Sequence, residues 1–235
     1  MEKITKSFVK AITWRILATL ITIGLVYIVT GNTTIAFSVG ILDVFAKIVA
    51  FVFHEQLWQR ISWGKTTGKI IWLTGLSGSG KSTIAEYLVK YYKKRNYNVI
   101  LLDGDIIRNI FPNTGFSPEE RDAHIKRVGL TATLLATNGF IVICALISPT
   151  ESSREAVREM YKDFVLVHVG ASLNDCIKRD VKGLYKKAIT GEIKNFTGIS
   201  QEYETPKNPS VLVTPEYETV KESAQQIIKY VRKLK

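Results

Sequence analysis

The chain has 235 residues, 46% of them hydrophobic, and a formal net charge of +11. That length suits one medium domain with an appendage or two small domains, and the hydrophobic share is slightly generous for a purely soluble protein. A basic balance points to nucleic acid, anionic lipid or an anionic small substrate; no aromatic-basic nucleic-acid module is present, so nucleic acid is set aside.

The charge is unevenly shared. Residues 1–64 hold six basic and three acidic residues, a net of +3, which leaves +8 for the rest of the chain. Cys144 and Cys176 have neither metal-ligand spacing nor a CxxC partner, which suits a reduced, cytosolic setting for the segment that carries them.

Residues 16–30 carry no charge, and extension back to Phe8 gives a run of 23 residues. At about 1.5 Å per residue this crosses a bilayer core. Gly31-Asn32-Thr33-Thr34 reads as a turn. Ile35 to Phe53 is a second apolar run of 19 residues, interrupted by Asp43 and Lys47. Those two lie four apart on one helical face and can pair; inside a membrane, such charges must face protein or each other. A cleaved signal peptide fits poorly, because no small-residue cleavage site follows the first run. Two buried soluble helices are the other alternative. Basic residues flank the outer ends (Lys3, Lys6, Lys10 and Arg15 before; Arg60, Lys65 and Lys69 after), and the turn has none. The positive-inside rule then puts both ends of the hairpin in the cytoplasm, at the inner membrane, with lipid around residues 8–53. Trp14, Trp58 and Trp63 fall near the expected interfaces, as an aromatic belt would.

This segment resembles a small two-helix bacterial membrane domain. The matching residues are Lys10-Ala11-Ile12-Thr13-Trp14-Arg15 at its start and His54, Glu55, Trp58, Trp63 and Gly64 at its close. The likeness implies topology and no biochemical activity. His54-Glu55 is half of a zinc motif, but position 58 is Trp where a second His would stand. The hairpin is assigned residues 1–64, a linker 65–68 and a second domain 69–235.

The second domain opens on Ile70-Ile71-Trp72-Leu73 and then Gly75-Leu76-Ser77-Gly78-Ser79-Gly80-Lys81-Ser82, with Thr83 beginning a helix-compatible run to about Lys94. This is G-x-x-x-x-G-K-[ST] in its strand–loop–helix context. Its glycines let backbone amides turn inward on phosphate oxygens, and the helix N-terminus adds positive potential. Lys81 reaches the β/γ-phosphates of ATP, and the Ser82 hydroxyl holds Mg²⁺.

Downstream, apolar strands alternate with helices. Val99–Leu102 leads into Asp103-Gly104-Asp105. A helix is expected over Pro118 to about Thr137, opened by a Ser117/Glu120 capping box. Phe140–Ala145 is a strand, Glu151–Lys162 a helix, Phe164–Val169 a strand and Leu173–Arg179 a short helix. Val211–Val213 and Glu218–Lys235 close the pattern. An α/β fold is expected, a P-loop-type parallel sheet covered by helices, with ligands at the strands' carboxyl ends. There the P-loop, Asp103, Asp105 and Ser148 converge. Either carboxylate can orient Mg²⁺ water or accept a hydroxyl proton. Arg108, Arg121, Lys126 and Arg127 suit an anionic acceptor. Residues 180–198, basic and glycine-bearing, suit a lid.

Residues 68–235 resemble the adenylylsulfate (APS) kinase family. The likeness is carried by the P-loop, Leu102-Asp103-Gly104-Asp105 with Arg108, Gly115-Phe116-Ser117 with Arg121, and Ile147-Ser148-Pro149. It continues through Arg179-Asp180-x-Lys182-Gly183-Leu184-Tyr185, Phe196-Thr197-Gly198-Ile199 and Tyr203-Glu204-x-Pro206. It implies transfer of the ATP γ-phosphate to the 3′-hydroxyl of APS, giving PAPS. By the same likeness Asp105 is the first candidate for base or metal-orienting carboxylate, and Asp103 the second. Arg108, Phe116, Arg121, His124, Ile147 and Phe196 match acceptor-holding positions; Lys182 and Leu184 fall in the lid. Ser148 matches a serine assigned as a phosphoserine intermediate, although in-line transfer needs no covalent step. A homodimer is also implied. Ile106 and His124 stand where the family usually has Asn, and Leu146 where it has Phe. Two alternatives stay open: a kinase of the same fold acting on another modified nucleotide, such as a cytidine diphosphate derivative, and a non-catalytic nucleotide-binding membrane adaptor.

Overall fold

The computed structural model describes residues 2–60, 68–110 and 115–234, and the chain divides into two units, Met1–Gly64 and Lys65–Lys235. The first is a helical hairpin of α1 (Glu2–Thr30) and α2 (Thr33–Arg60). At the turn, Asn32 Oδ1 accepts from the amides of Thr34 at 2.9 Å and Ile35 at 3.2 Å, which caps α2. Within these helices, Ile12–Thr30 and Thr33–Phe53 are long and apolar enough to cross a membrane. Both helices run past the apolar stretches, because the polar flanks continue the same i to i−4 ladder.

The two helices meet through small residues. Ala36 is buried, and Ile23 packs where a side chain at Gly40 would stand. Arg15 lies 5.5 Å from the Phe51 ring centroid. Outward, the hairpin presents large apolar side chains such as Leu17, Leu20, Ile28, Phe37 and Phe45. Lys47 Nζ donates to Asp43 Oδ2 at 2.6 Å, the pairing expected from the spacing. Trp63, Gly64 and residues 65–67 lie outside the described residues, as do the side chains of His54, Glu55 and Trp58.

The second unit is a five-stranded, all-parallel sheet in the order β2-β3-β1-β4-β5. Its strands are β1 (Lys69–Thr74), β2 (Val99–Asp103), β3 (Ile141–Ala145), β4 (Phe164–Val169) and β5 (Val211–Val213). β1 is central and alternates its side chains between two cores. Ile71 and Leu73 meet Leu88 of α3 (Lys81–Lys93) and Ile227 of α9 (Val220–Lys233). Ile70 and Trp72 meet Val128 and Ala132 of α5 (Pro118–Thr137) and Val157 of α6 (Glu151–Arg158). Burial on both faces explains why these strands read as continuous apolar runs.

The capping box forms as expected: Ser117 Oγ accepts from the Glu120 amide, and Glu120 accepts from the Ser117 amide. Two short helices were not legible as such, α4 (Gly104–Ile110) and α8 (Leu184–Ile189). α7 (Leu173–Arg179) matches its expected bounds. α6 stops at Arg158 rather than Lys162, because the chain must reverse before β4 begins. Gly68, assigned to the linker, is buried in this unit, and its carbonyl accepts from the Tyr161 hydroxyl at 3.0 Å.

Candidate active site

All five strands end at one edge of the sheet, and a cleft of about 740 Å³ opens there. β1 delivers the P-loop. Gly80 adopts φ +101°, a left-handed conformation that glycine takes without strain. A side chain at Gly75 would stand 2.5 Å from the Val169 carbonyl oxygen. α3 then begins at Lys81 with no side-chain cap, so its first-turn amides are available to an anion. This cradle fits a nucleotide phosphate.

Lys81 Nζ donates to the carbonyls of Gly75 at 2.9 Å and Leu76 at 2.7 Å. Burial is the chief cause that lowers its pKa to about 8, partly offset by Cys176, Asp103 and Asp105. The Ser82 hydroxyl donates to Asp103 Oδ2 at 2.8 Å, while Asp103 Oδ1 accepts from the Asp105 amide at 3.0 Å. Asp103 is therefore doubly engaged: it holds the start of α4 and pairs with the P-loop serine. Asp105, ranked first from the sequence, instead pairs its carboxylate with Lys182. The oxygen pair at Ser82 and Asp103 is the arrangement that suits a hard cation; among the described residues no cluster of three His, Cys, Asp or Glu exists.

The opposite wall is cationic and aromatic. Phe116 is approached by two guanidinium groups, Arg108 at 4.5 Å and Arg121 at 5.6 Å from its ring centroid. Arg108 donates to the Gly115 carbonyl at 3.0 Å, and Arg121 to Phe116 O at 3.0 Å and Thr197 Oγ1 at 2.6 Å. These bonds hold both cations at the N-terminus of α5. Ile147, Leu184 and Phe196 complete the wall; Phe196 packs edge-on against Tyr185. His124 is buried beside them with neither ring nitrogen bonded. Burial first, then Arg108 and Arg127, lower its pKa to about 4.

The cleft thus gathers Ser77, Gly78, Gly80, Lys81, Ser82 and Thr83 with Asp103, Asp105, Arg108, Phe116, Arg121, His124, Ile147, Ser148, Lys182, Leu184 and Phe196. Gly75, Leu76 and Ser79 support the loop from below. A family model described as adenylylsulphate kinase matches residues 67–214. The chain belongs to the adenylylsulphate kinase family. A second model, described as a predicted membrane protein (DUF2061), matches residues 8–59. The adenylyl-sulfate kinase of Rippkaea orientalis is 49% identical over 164 residues, 69% of this chain and 91% of that protein. That of Halothermothrix orenii is 46% identical over 165 residues, 70% of this chain and 89% of that protein. Among solved structures, Mycobacterium tuberculosis APS kinase in complex with AMPPNP and APS superposes with a TM-score of 0.69 at 39% identity, covering 71% of this chain and 99% of that one.

In this adenylylsulphate kinase, Ser148 is buried, and its Oγ accepts from Trp72 Nε1 at 3.0 Å. A buried hydroxyl so engaged is poorly placed to become a phosphoryl acceptor, and its position marks it as a strut for the loop after β3. Its φ is +39°, and its carbonyl accepts from Arg154 Nη1 at 2.7 Å. Arg154 escaped the sequence reading. It is fully buried, pairs with Glu151 and donates to the Glu204 carbonyl at 2.7 Å. Glu151 and Arg154 at i,i+3 after Ile147-Ser148-Pro149 were the available signal. Tyr185 was also missed as a support: its hydroxyl donates to the Ser77 carbonyl at 2.9 Å.

Proposed function

We propose that the chain is a membrane-anchored kinase that transfers the γ-phosphoryl group of ATP to the 3′-hydroxyl of adenosine 5′-phosphosulfate, yielding PAPS and ADP. The observation that carries this reading is one cleft lined both by a complete P-loop and by the Arg108–Phe116–Arg121 cluster. A donor triphosphate suits the first wall, and an anionic nucleotide, its base against an aromatic ring, suits the second.

The chain's own residues divide the work. The amides at the start of α3 and Lys81 bind phosphate oxygens and offset charge that develops during transfer. Ser82 and Asp103 are the residues that would hold Mg²⁺, which neutralises phosphate charge when bound. Asp105 is placed to accept the proton of the acceptor hydroxyl once Lys182 moves off it. The Asp105–Lys182 pair joins α4 to the lid segment 180–198, so lid position and carboxylate availability are coupled. Arg108 and Arg121 orient the acceptor's anionic end. Water exclusion falls to Leu184 and Phe196 on the lid side.

The hairpin is read as the anchor in the inner membrane, with the kinase domain in the cytoplasm, supported by its two apolar helices and the flanking basic residues. Residues 1–64 and 69–235 are read as the membrane and kinase domains. The orphaned nitrogens of His124 favour one second reading, an acceptor with a different 5′ substituent. ADP release measured on an acceptor panel tests both: turnover with APS supports the first, and turnover confined to a cytidine nucleotide supports the second.

A further inference from the structure

We propose that the kinase unit carries a lipid-docking face, formed by the C-terminal ends of α3 and α9, that rests on anionic headgroups of the membrane. The inference rests on the reading of α1 and α2 as membrane-spanning.

The face is a concentration of unpaired cations. Lys90 and Lys93 of α3, Lys94 and Arg95 just past its end, and Lys229, Arg232 and Lys233 of α9 are all exposed. No acidic residue occurs from Tyr87 to Asn98 or from Ser223 to Lys235. None of the seven takes part in an ion pair among the described residues. The two helix ends are joined through Tyr91. Arg95 stacks 3.7 Å from its ring centroid, and Arg232 donates to its hydroxyl. A cation or two in a last turn complements the helix dipole; seven from two adjoining helices, with no acid between them, make a surface of one sign. Tyr97, exposed and edge-on to Tyr92 with ring centroids 5.6 Å apart, adds an amphipathic ring of the kind that sits at headgroup level.

Its position supplies the occupant. α3 and α9 both run back along the parallel sheet, so they end at the edge where the strands begin. Lys69, the first residue of β1, donates from Nζ to the Leu234 carbonyl at 2.7 Å, at the end of α9. Val99, Ile141 and Lys69 stand in register at that same edge, and α3 leads into it through Asn98. The chain enters the unit here, at Gly68. Gly68 follows Arg60, at the end of α2, by eight residue steps, which span at most about 29 Å. A tether of that length keeps the surface close enough to reach anionic lipid, whose field decays over about 8 Å at physiological salt, and attraction over that last distance would hold it there. Two acids also stand at this edge: Glu159 caps α6, on the sheet face opposite α3 and α9, and Asp163 precedes β4, its carbonyl accepting from the Ile70 amide at 3.0 Å. Docking by this face leaves the catalytic cleft, at the opposite edge of the sheet, open to soluble substrates.

The test uses the full chain reconstituted in vesicles. Cys144 and Cys176 are both buried, so a single Asn98→Cys substitution at this edge takes a fluorophore selectively. Quenching by headgroup spin-labelled lipid is then compared in phosphatidylcholine vesicles with and without phosphatidylglycerol. The expected result is several-fold stronger quenching with phosphatidylglycerol, abolished by high salt or by Lys93→Glu/Lys94→Glu/Arg232→Glu/Lys233→Glu, with ATP turnover retained. Equal quenching in both vesicles, or insensitivity to the charge reversals, overturns the inference. So does protection of the label by added RNA with no response to phosphatidylglycerol. Flotation of the protein with neutral vesicles is scored separately: its failure would refute the membrane anchor, whereas flotation without lipid-dependent quenching would refute only the docking face.

Discussion

Lys81 stores the P-loop's charge under unfavourable conditions. Its ammonium is buried on two carbonyls, and burial brings its pKa down to about 8. A folded-state pKa below the ordinary 10.5 means that the unfolded chain binds more protons between those values, so this group's contribution to stability rises with pH across that window. Phosphate binding runs the other way, because it needs the ammonium form. The apparent Kd for ATP, measured by titration calorimetry, should weaken as pH rises from 7 to 9, and Lys81→Met should cut turnover by at least about 10²-fold while the fold survives. Asp103 and Asp105 separate by partner. Asp103→Asn should raise the Mg²⁺ concentration needed for half-maximal rate, since Asp103 meets Ser82. Asp105→Asn should depress kcat at saturating Mg²⁺. His124 titrates in the acid range. Its pKa falls from 6.5 to about 4, so the unfolded state takes up the proton first and stability drops as pH falls through that interval. His124→Asn should flatten the acid limb of a melting-temperature profile between pH 6.5 and 4.

At the level of elements, α6 acts as a clamp on the loop after β3. Its buried Arg154 ties Ser148 to Glu204 and pairs with Glu151. Arg154→Met leaves Glu151 without its cationic partner, the Glu204 carbonyl without this donor, and the Ser148 carbonyl with only the longer bond from the Thr74 hydroxyl at 3.3 Å. The expected cost is about 3 kcal/mol, a fall in melting temperature of roughly 6–12 °C for a domain of this size, read by thermal denaturation. The sheet was legible from the sequence because its strands are buried on both faces and read as unbroken apolar runs, as in Phe164–Val169. α5 was legible from Ser117 and Glu120. α4 and α8 were not, because both are short and each is started by the carboxylate of an Asp that precedes it rather than by a capping box. Asp103 receives the Asp105 amide, and Asp180 receives those of Tyr185 and Lys186. An Asp followed by Gly reads equally well as a turn. The site's residue types were visible in the motifs, but their pairings were not. Ser82 with Asp103, Asp105 with Lys182 and Trp72 with Ser148 join positions far apart in sequence, and spacing carries no information about such partners.

The whole molecule joins a hairpin suited to lipid with an adenylylsulphate kinase unit. Their charges tell a consistent story: the hairpin's outward faces are apolar, and the kinase unit carries most of the chain's positive excess. Within the hairpin, the Asp43–Lys47 pair is nearly neutral as a unit, which lowers the cost of placing either charge at membrane depth. Lys47→Leu alone should strand Asp43 and reduce the amount of protein recovered in membranes, whereas the double change Asp43→Leu/Lys47→Leu should restore it. Immunoblotting of membrane fractions would check this. Anchor and activity are tested together by an assay of washed membranes bearing the full-length chain. With ATP, Mg²⁺ and APS, those membranes should release ADP and form PAPS, and Lys81→Met membranes should not. Absence of APS-dependent ADP release from membranes that retain the protein would contradict the acceptor, and activity found wholly in the soluble fraction would contradict the anchor.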